Sequence, residues 1–147
     1  MTSRPELQGL IERCEKATGP DRELDAAIIV ATTPTVSADD DLIYLSPTLE
    51  DDNCAHGTYW RVQRSGRSLH TAPQLTASLD ASLALVEQVL PGWHWSLDSF
   101  GEATVFDSSG AFLVQADNEH YGHNKRLPLA ILAALLRSLL AREDSHD

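Results

Sequence analysis

The run RLPLAILAALLRSLLA, Arg126 to Ala141, constrains the fold more than any other part of the chain. Pro128 suits the first turn of a helix, because that turn does not need the backbone N–H that proline lacks. Leucine, isoleucine and alanine then continue to Arg142 with little polar surface. Since a helix that is apolar on all sides must be covered by other elements, we predict a last helix that is buried on more than one side.

Three further helices have clear start signals. Ser3 and Glu6 form a capping-box pattern that predicts a first helix. Asp21 is a suitable N-cap for a short second helix, and Ser78 for a third helix over 79–90.

The segment after the third helix alternates with the period of a strand. Trp93, Trp95 and Leu97 alternate with polar residues, which predicts one apolar face. Strands over 102–107 and 111–116 would complete a three-stranded antiparallel meander. We interpret both tryptophans as core residues rather than as a ligand-stacking site, since their side chains are a large share of a small core.

Two earlier segments, 42–45 and 58–65, are further strand candidates. The mixed order of helices and strands favours the α+β class: an antiparallel sheet, made of the meander plus one or two further strands, packed with about four helices. The length suits a single domain over 1–147, with an acidic loop insert at about 32–57 and a short polar tail at 143–147.

The charge balance restricts the partners. The formal net charge of −11 disfavours binding to nucleic acids and to anionic membranes. Between Ser37 and His56 the chain has six acids and no lysine or arginine. These candidate partner-binding residues are Asp39, Asp40, Asp41, Glu50, Asp51 and Asp52. They predict contact with a basic surface on a host protein, or else a solvated loop that keeps the protein soluble.

The cysteine count and the N-terminus predict a compartment. Cys14 and Cys54 lack the spacing of a metal site, and we expect both to be free thiols. The start of the chain has no hydrophobic signal region, and no run is apolar enough to span a membrane. We therefore expect a reduced, cytoplasmic protein. The leucine-rich last helix also predicts that the chain can form a homodimer.

No residue pattern meets the requirements of a catalytic site, and we expect no enzyme activity and no cofactor. His120 and His123 have a spacing that suits a metal on a helix, but Gly122 favours a solvated loop, so we predict no metal site. The six nearby acids disfavour a reactive thiolate at Cys54 beside His56.

A second binding hypothesis concerns an anionic small ligand such as a cyclic nucleotide. Its candidate residues are Arg61, Arg64, Arg67, His120 and Tyr121. Arginines bind phosphate well when they converge on it, whereas pairing with the neighbouring acidic segment would leave them a structural role.

Three segments resemble small uncharacterised phage and prophage proteins, similar to the phage ABA-sandwich type. They are CEKATGPDRELDAAIIVA (14–31), LTASLDASLALVEQVLPGWHWSL (75–97) and RLPLAILAALLRSLLA (126–141). The resemblance covers about half of the chain. It implies an accessory protein of the infected bacterial cell that inhibits a host anti-phage defence factor by stoichiometric binding. The alternatives are a sponge that sequesters a nucleotide signal and an accessory protein for phage assembly.

The chain departs from the pattern of those proteins in two places. These are the acidic insert over 32–57 and the stretch NEHYGHNKR, Asn118 to Arg126. Because proteins that share a scaffold differ in their loops, we expect function to lie in these two segments.

Overall fold

The computed structural model describes residues 3–33, 36–38, 41–47, 57–63, 66–107 and 119–144. Within these ranges the chain forms four helices and seven strands. The helices are α1 (Arg4–Lys16), α2 (Arg22–Thr32), α3 (Leu79–Val89) and α4 (Leu127–Asp144). The strands are β1 (Val36–Ala38), β2 (Asp41–Pro47), β3 (Thr58–Gln63), β4 (Gly66–Thr71), β5 (His94–Leu97), β6 (Glu102–Phe106) and β7 (Glu119–His123).

The strands form two antiparallel sheets, which confirms the α+β class. The first sheet has the order β1-β2-β3-β4, and the second has the order β5-β6-β7. The early strands therefore build a sheet of their own instead of extending the C-terminal meander. β1 and β2 lie inside the segment predicted as an acidic loop insert.

The predicted helix starts are confirmed. Ser3 and Glu6 exchange the two hydrogen bonds of a capping box. The side chains of Asp21 and Ser78 accept backbone N–H groups in the first turns of α2 and α3. These bonds satisfy donors that have no partner inside the helix.

Helix α4 is the centre of the core, as its composition predicts. Every side chain from Leu129 to Leu136 is fully buried, and α1, β6 and β7 pack against the helix. An almost wholly apolar helix is stable here because sheet and helix cover different sides of it. No helix among the described residues is long and apolar enough to span a membrane.

Strand β7 corrects the prediction of a solvated loop at 120–123. Gly122, which favoured a loop in the sequence, lies in the strand and is buried against α4. A Cβ atom at this position would lie 2.0 Å from the carbonyl oxygen of Ala130 and 2.7 Å from the backbone nitrogen of Ala134. Glycine is therefore present because the two backbones approach closely. The strand predicted over 111–116 lies outside the described residues.

The two tryptophans contribute less to the core than their alternation predicts. Trp93 precedes β5, is half-buried and packs against the core. Trp95 shares a sheet face with the buried Val105, its register partner, yet 41% of its surface is exposed. The reason is position: β5 is an edge strand, so only one side of the Trp95 ring has a neighbouring strand.

Candidate functional site

A cleft of about 790 Å³ opens where three segments that are distant in sequence meet. These are the end of α1, the β5–β6 turn and the connection from β7 to α4. The lining includes Lys16, Thr18, Phe100, Lys125 and Arg126. The volume lies in the range of small-molecule sites.

Asn124 holds two of these segments together. Its Nδ2 donates to the carbonyl oxygens of Cys14 at 2.8 Å, Glu15 at 3.3 Å and Ala17 at 3.0 Å. These carbonyls end α1 and lack partners inside the helix, so Asn124 supplies their donor. The same side chain accepts from the backbone N–H of Arg126 at 2.9 Å, which fixes the start of α4.

The β5–β6 turn forms the third wall and is held by a carboxylate. Asp98 Oδ1 accepts from the backbone N–H groups of Phe100 at 2.8 Å and Glu102 at 3.0 Å. These two hydrogen bonds hold the pKa of the Asp98 carboxyl below its usual value, and the bond from Glu102 has the larger effect. Gly101 has a φ of +90°, and its carbonyl accepts from the Asn124 N–H at 2.9 Å. The turn is thus tied to the same asparagine.

Three cations line the cleft without an ion-pair partner among the described residues: Lys16, Lys125 and Arg126. Lys16 and Lys125 are the two lysines of the chain, and they are 109 positions apart. Glu15, which also lines the cleft, forms an ion pair with Arg137. The negative charge at the cleft is therefore balanced by a separate cation.

The remaining polar groups of the lining are partly engaged. Arg126 Nε donates to the Thr18 carbonyl at 2.5 Å, and no described group accepts from its terminal nitrogens. His123 Nδ1 lies 3.6 Å from Glu102 Oε1, an ion pair only when the histidine is protonated. One edge of the Arg126 guanidinium is thus fixed, and the opposite edge stays available to an acceptor.

The cations that line this cleft are suited to binding an anion. Cys14 precedes the cleft-lining Glu15 in α1 and is fully buried. Burial raises the pKa of its thiol to about 12, so the group stays protonated and unreactive. Unpaired cations around a cleft are suited to phosphate or carboxylate groups.

The arginines predicted to hold an anionic ligand do not converge. In the β3–β4 register Arg61 pairs with Ser68, and Arg67 pairs with Val62. Residues that alternate along a strand point to opposite faces, so the two arginines lie on opposite faces of the hairpin. The Arg67 guanidinium stacks on Trp60, 4.7 Å from the ring centroid. Arg64 lies outside the described residues.

The other two candidates for this ligand, His120 and Tyr121, belong to β7 in the second sheet. Tyr121 is 44% exposed, on the sheet face opposite to α4. The spacing of His120 and His123 would suit a metal site only on a helix, where residues three apart lie on the same side. The segment is a strand instead. Among the described residues no group of three or more metal-ligating side chains is close enough to hold an ion.

Most of the acidic candidate residues fall outside the described ranges. These are Asp39, Asp40, Glu50, Asp51 and Asp52. Cys54 and His56 also lie outside the described ranges. Asp41 begins β2, which pairs with β1 and β3. The hypothesis of an acidic docking segment therefore stays a prediction.

A second charged cluster lies between α2 and the segment before α3. Arg22 Nη1 donates to Asp25 Oδ2 at 2.6 Å, and Arg22 Nη2 donates to the Ala72 carbonyl at 2.7 Å. The backbone N–H of Thr76 donates to Asp25 Oδ1 at 2.7 Å, and that of Asp21 donates to Thr76 Oγ1 at 2.7 Å. These hydrogen bonds join the segment GPDRELDAAI (19–28) to the segment LTASLD (75–80).

Sequence reasoning missed Lys16, Phe100 and the cleft itself. Lys125 and Arg126, which also line the cleft, belong to the stretch 118–126 in which function was expected, and that expectation stays a prediction. The available signal was the rarity of lysine in an acidic chain. Rarity alone does not show that two lysines 109 positions apart are neighbours.

Comparison with known proteins gave no match to a family model, to a curated protein or to a solved structure.

Proposed function

We propose that this chain is a non-enzymatic binding protein that holds a small anionic ligand in the cleft between α1, the β5–β6 turn and α4. The carrying observation is that both lysines of the chain and Arg126 line this cleft with no described ion-pair partner. The earlier sponge hypothesis is thus retained with different residues.

The negative net charge of the chain makes a cluster of three cations at one cleft unusual. A net charge of −11 creates a negative field that lowers the local concentration of anions. Three cations that line one cleft and have no ion-pair partner in the described part of the chain oppose that field locally, and their like charges repel one another. A bound anion relieves this repulsion and accepts charge-assisted hydrogen bonds, each worth about 1.5–3 kcal/mol.

Titration calorimetry with inorganic pyrophosphate tests the proposal. We expect binding of one pyrophosphate per chain, and about tenfold weaker binding for Lys125→Gln, because one charge-assisted hydrogen bond is lost. Arg61→Gln is the matched control: it removes the same charge from an exposed site outside the cleft and should leave the affinity unchanged.

Raising the salt to about 1 M, where the screening length is about 3 Å, should weaken this binding strongly. Absence of binding at low salt, or equal losses in Lys125→Gln and Arg61→Gln, would show that the cleft is not an anion site.

A second candidate function is stoichiometric inhibition of a host defence factor. It is favoured by the acidic segment between Ser37 and His56, which has six acids and no lysine or arginine. The acidic segment would contact a basic surface on that protein, since opposite charge speeds association and selects the partner. The resemblance of three segments to small uncharacterised phage and prophage proteins implies such a role.

A capture experiment from bacterial lysate tests the second candidate. Wild-type chain should retain a basic protein that the triple variant Asp39→Lys, Asp40→Lys, Asp41→Lys does not retain. Lys125→Gln serves as the control and should retain it. Equal capture by the wild-type and triple variants would remove these three acids from the hypothesis.

A further inference from the structure

Phe100 lies at the mouth of the cleft and is 91% exposed. A single exposed aromatic ring is ordinary on a protein surface. This ring differs because it borders a cleft whose other lining includes three cations for which the described residues provide no ion-pair partner. The site therefore offers an apolar ring face beside groups that bind phosphate.

The backbone that carries Phe100 is fixed. Asp98 Oδ1 accepts the Phe100 N–H at 2.8 Å, and the Asp98 carbonyl accepts the Gly101 N–H at 3.3 Å. Gly101 also packs on the β7–α4 connection, where a Cβ would lie 2.2 Å from the carbonyl oxygen of Asn124. A side chain at 101 is thus excluded, and the position of the turn relative to Lys125 is set.

A fixed turn reduces the entropy that is lost when the ring orders against a ligand. An aromatic side chain that stacks on a base contributes to binding without selecting one base, because every base has a π-face. The lysines and Arg126 provide the complementary contact for a phosphate.

We propose that Phe100 stacks on the aromatic ring of the bound anion, so that the ligand class is a nucleoside phosphate rather than a simple phosphate or sugar phosphate. This inference rests on the proposed anion-binding function and adds a specificity-determining residue to it. The phosphate lies between Lys16, Lys125 and Arg126, and the base lies against the exposed face of Phe100.

The test compares adenosine 5′-monophosphate with ribose 5-phosphate, which carries the same phosphate and sugar but no ring. We expect the nucleotide to bind about tenfold more tightly to the wild-type chain, in line with base–aromatic stacking. Phe100→Ala should abolish this difference without changing the affinity for ribose 5-phosphate, and Phe100→Trp should preserve the difference. Since the side chain is exposed, circular dichroism should show both variants folded.

The outcomes separate the two proposals. Equal affinities of the wild-type chain for the two compounds would overturn the role of Phe100 and leave anion binding intact. Equal losses for both compounds in Phe100→Ala would also overturn it, because a stacking residue acts on the ring alone. If pyrophosphate and both compounds fail to bind, the anion site itself is absent and this inference falls with it.

Discussion

Two clusters of charged side chains in this protein differ in how completely their charges are paired. At the start of α2, Arg22 binds the carboxylate of Asp25 and two backbone carbonyls, and Asp25 is fully buried. At the cleft, Lys16, Lys125 and Arg126 have no described ion-pair partner. An arginine thus occurs both in a cluster whose charges are paired and in one for which the described residues show no ion pair.

This difference in charge pairing predicts different roles for the two clusters, stability for the first and binding for the second. A buried charge is tolerated only when paired and hydrogen-bonded, so the Arg22–Asp25 pair is explained by the fold alone. Exposed charges of one sign around a cleft do not contribute to stability through pairing, and they remain available to a ligand. We therefore expect substitutions in the first cluster to change stability and those in the second to change binding.

The largest effect is expected for Arg22→Met. This variant leaves the Asp25 carboxylate buried without its cation and should lower the free energy of unfolding by about 3–5 kcal/mol. Urea denaturation measures the change. A loss below about 0.5 kcal/mol, the size typical of surface substitutions, would show that the pair does not hold the scaffold.

The double variant Lys16→Gln, Lys125→Gln should show the reverse pattern. We expect about 100-fold weaker binding of adenosine 5′-monophosphate, from the loss of two charge-assisted hydrogen bonds. The free energy of unfolding should change by less than about 0.5 kcal/mol. Calorimetry measures the binding and urea denaturation measures the stability of the same samples. A large loss of stability would show that the cleft cations, like the Arg22–Asp25 pair, stabilise the fold.

The burial of the Cys14 thiol has a separate effect, on the pH dependence of stability. The pKa of Cys14 is raised to about 12 from 9.0, so the folded state keeps a proton that the unfolded state releases. Stability is therefore fully present below pH 9.0 and falls as the pH rises towards 12, by at most about 1.4 kcal/mol per pH unit from this group. Cys14→Ala should show a smaller decline than the wild-type chain in urea denaturation over this range. Equal slopes would show that the thiol is not protected.

The smallest effect is expected at the turn that carries Phe100. Asp98→Ala removes the acceptor of two N–H groups and should weaken nucleotide binding a few-fold while leaving pyrophosphate binding unchanged. Because the pKa of Asp98 is lowered, its carboxylate contributes above the usual value of 3.8 and is lost only at lower pH. Binding at neutral pH is thus the correct readout. A loss for both ligands would mean that the turn shapes the whole cleft.

The sequence predicts local structure where one element carries its own signal. The capping box at Ser3, the N-caps at Asp21 and Ser78 and the all-round apolar α4 depend on neighbours in the chain, and all are confirmed. β7 was missed because Gly122 has a tertiary role: it admits the backbone of α4.

The cleft was missed for a related reason. Lys16 and Lys125 line the same cleft because Asn124 binds the end of α1, a contact between positions more than 100 apart. Arg61 and Arg67 are close in sequence, yet strand alternation places them on opposite faces. Proximity in sequence was therefore a poor guide to which cations share a site.

An NMR titration of the ¹⁵N-labelled chain with adenosine 5′-monophosphate shows whether Lys16, Lys125 and Arg126 form a ligand site. We predict saturable shifts of backbone amide signals at Lys16–Thr18, Phe100–Gly101 and Asn124–Arg126, with the signals of Arg61 and Arg67 unchanged. Shifts confined to the β3–β4 hairpin, or no saturable shifts at all, would show that the cleft does not bind the nucleotide.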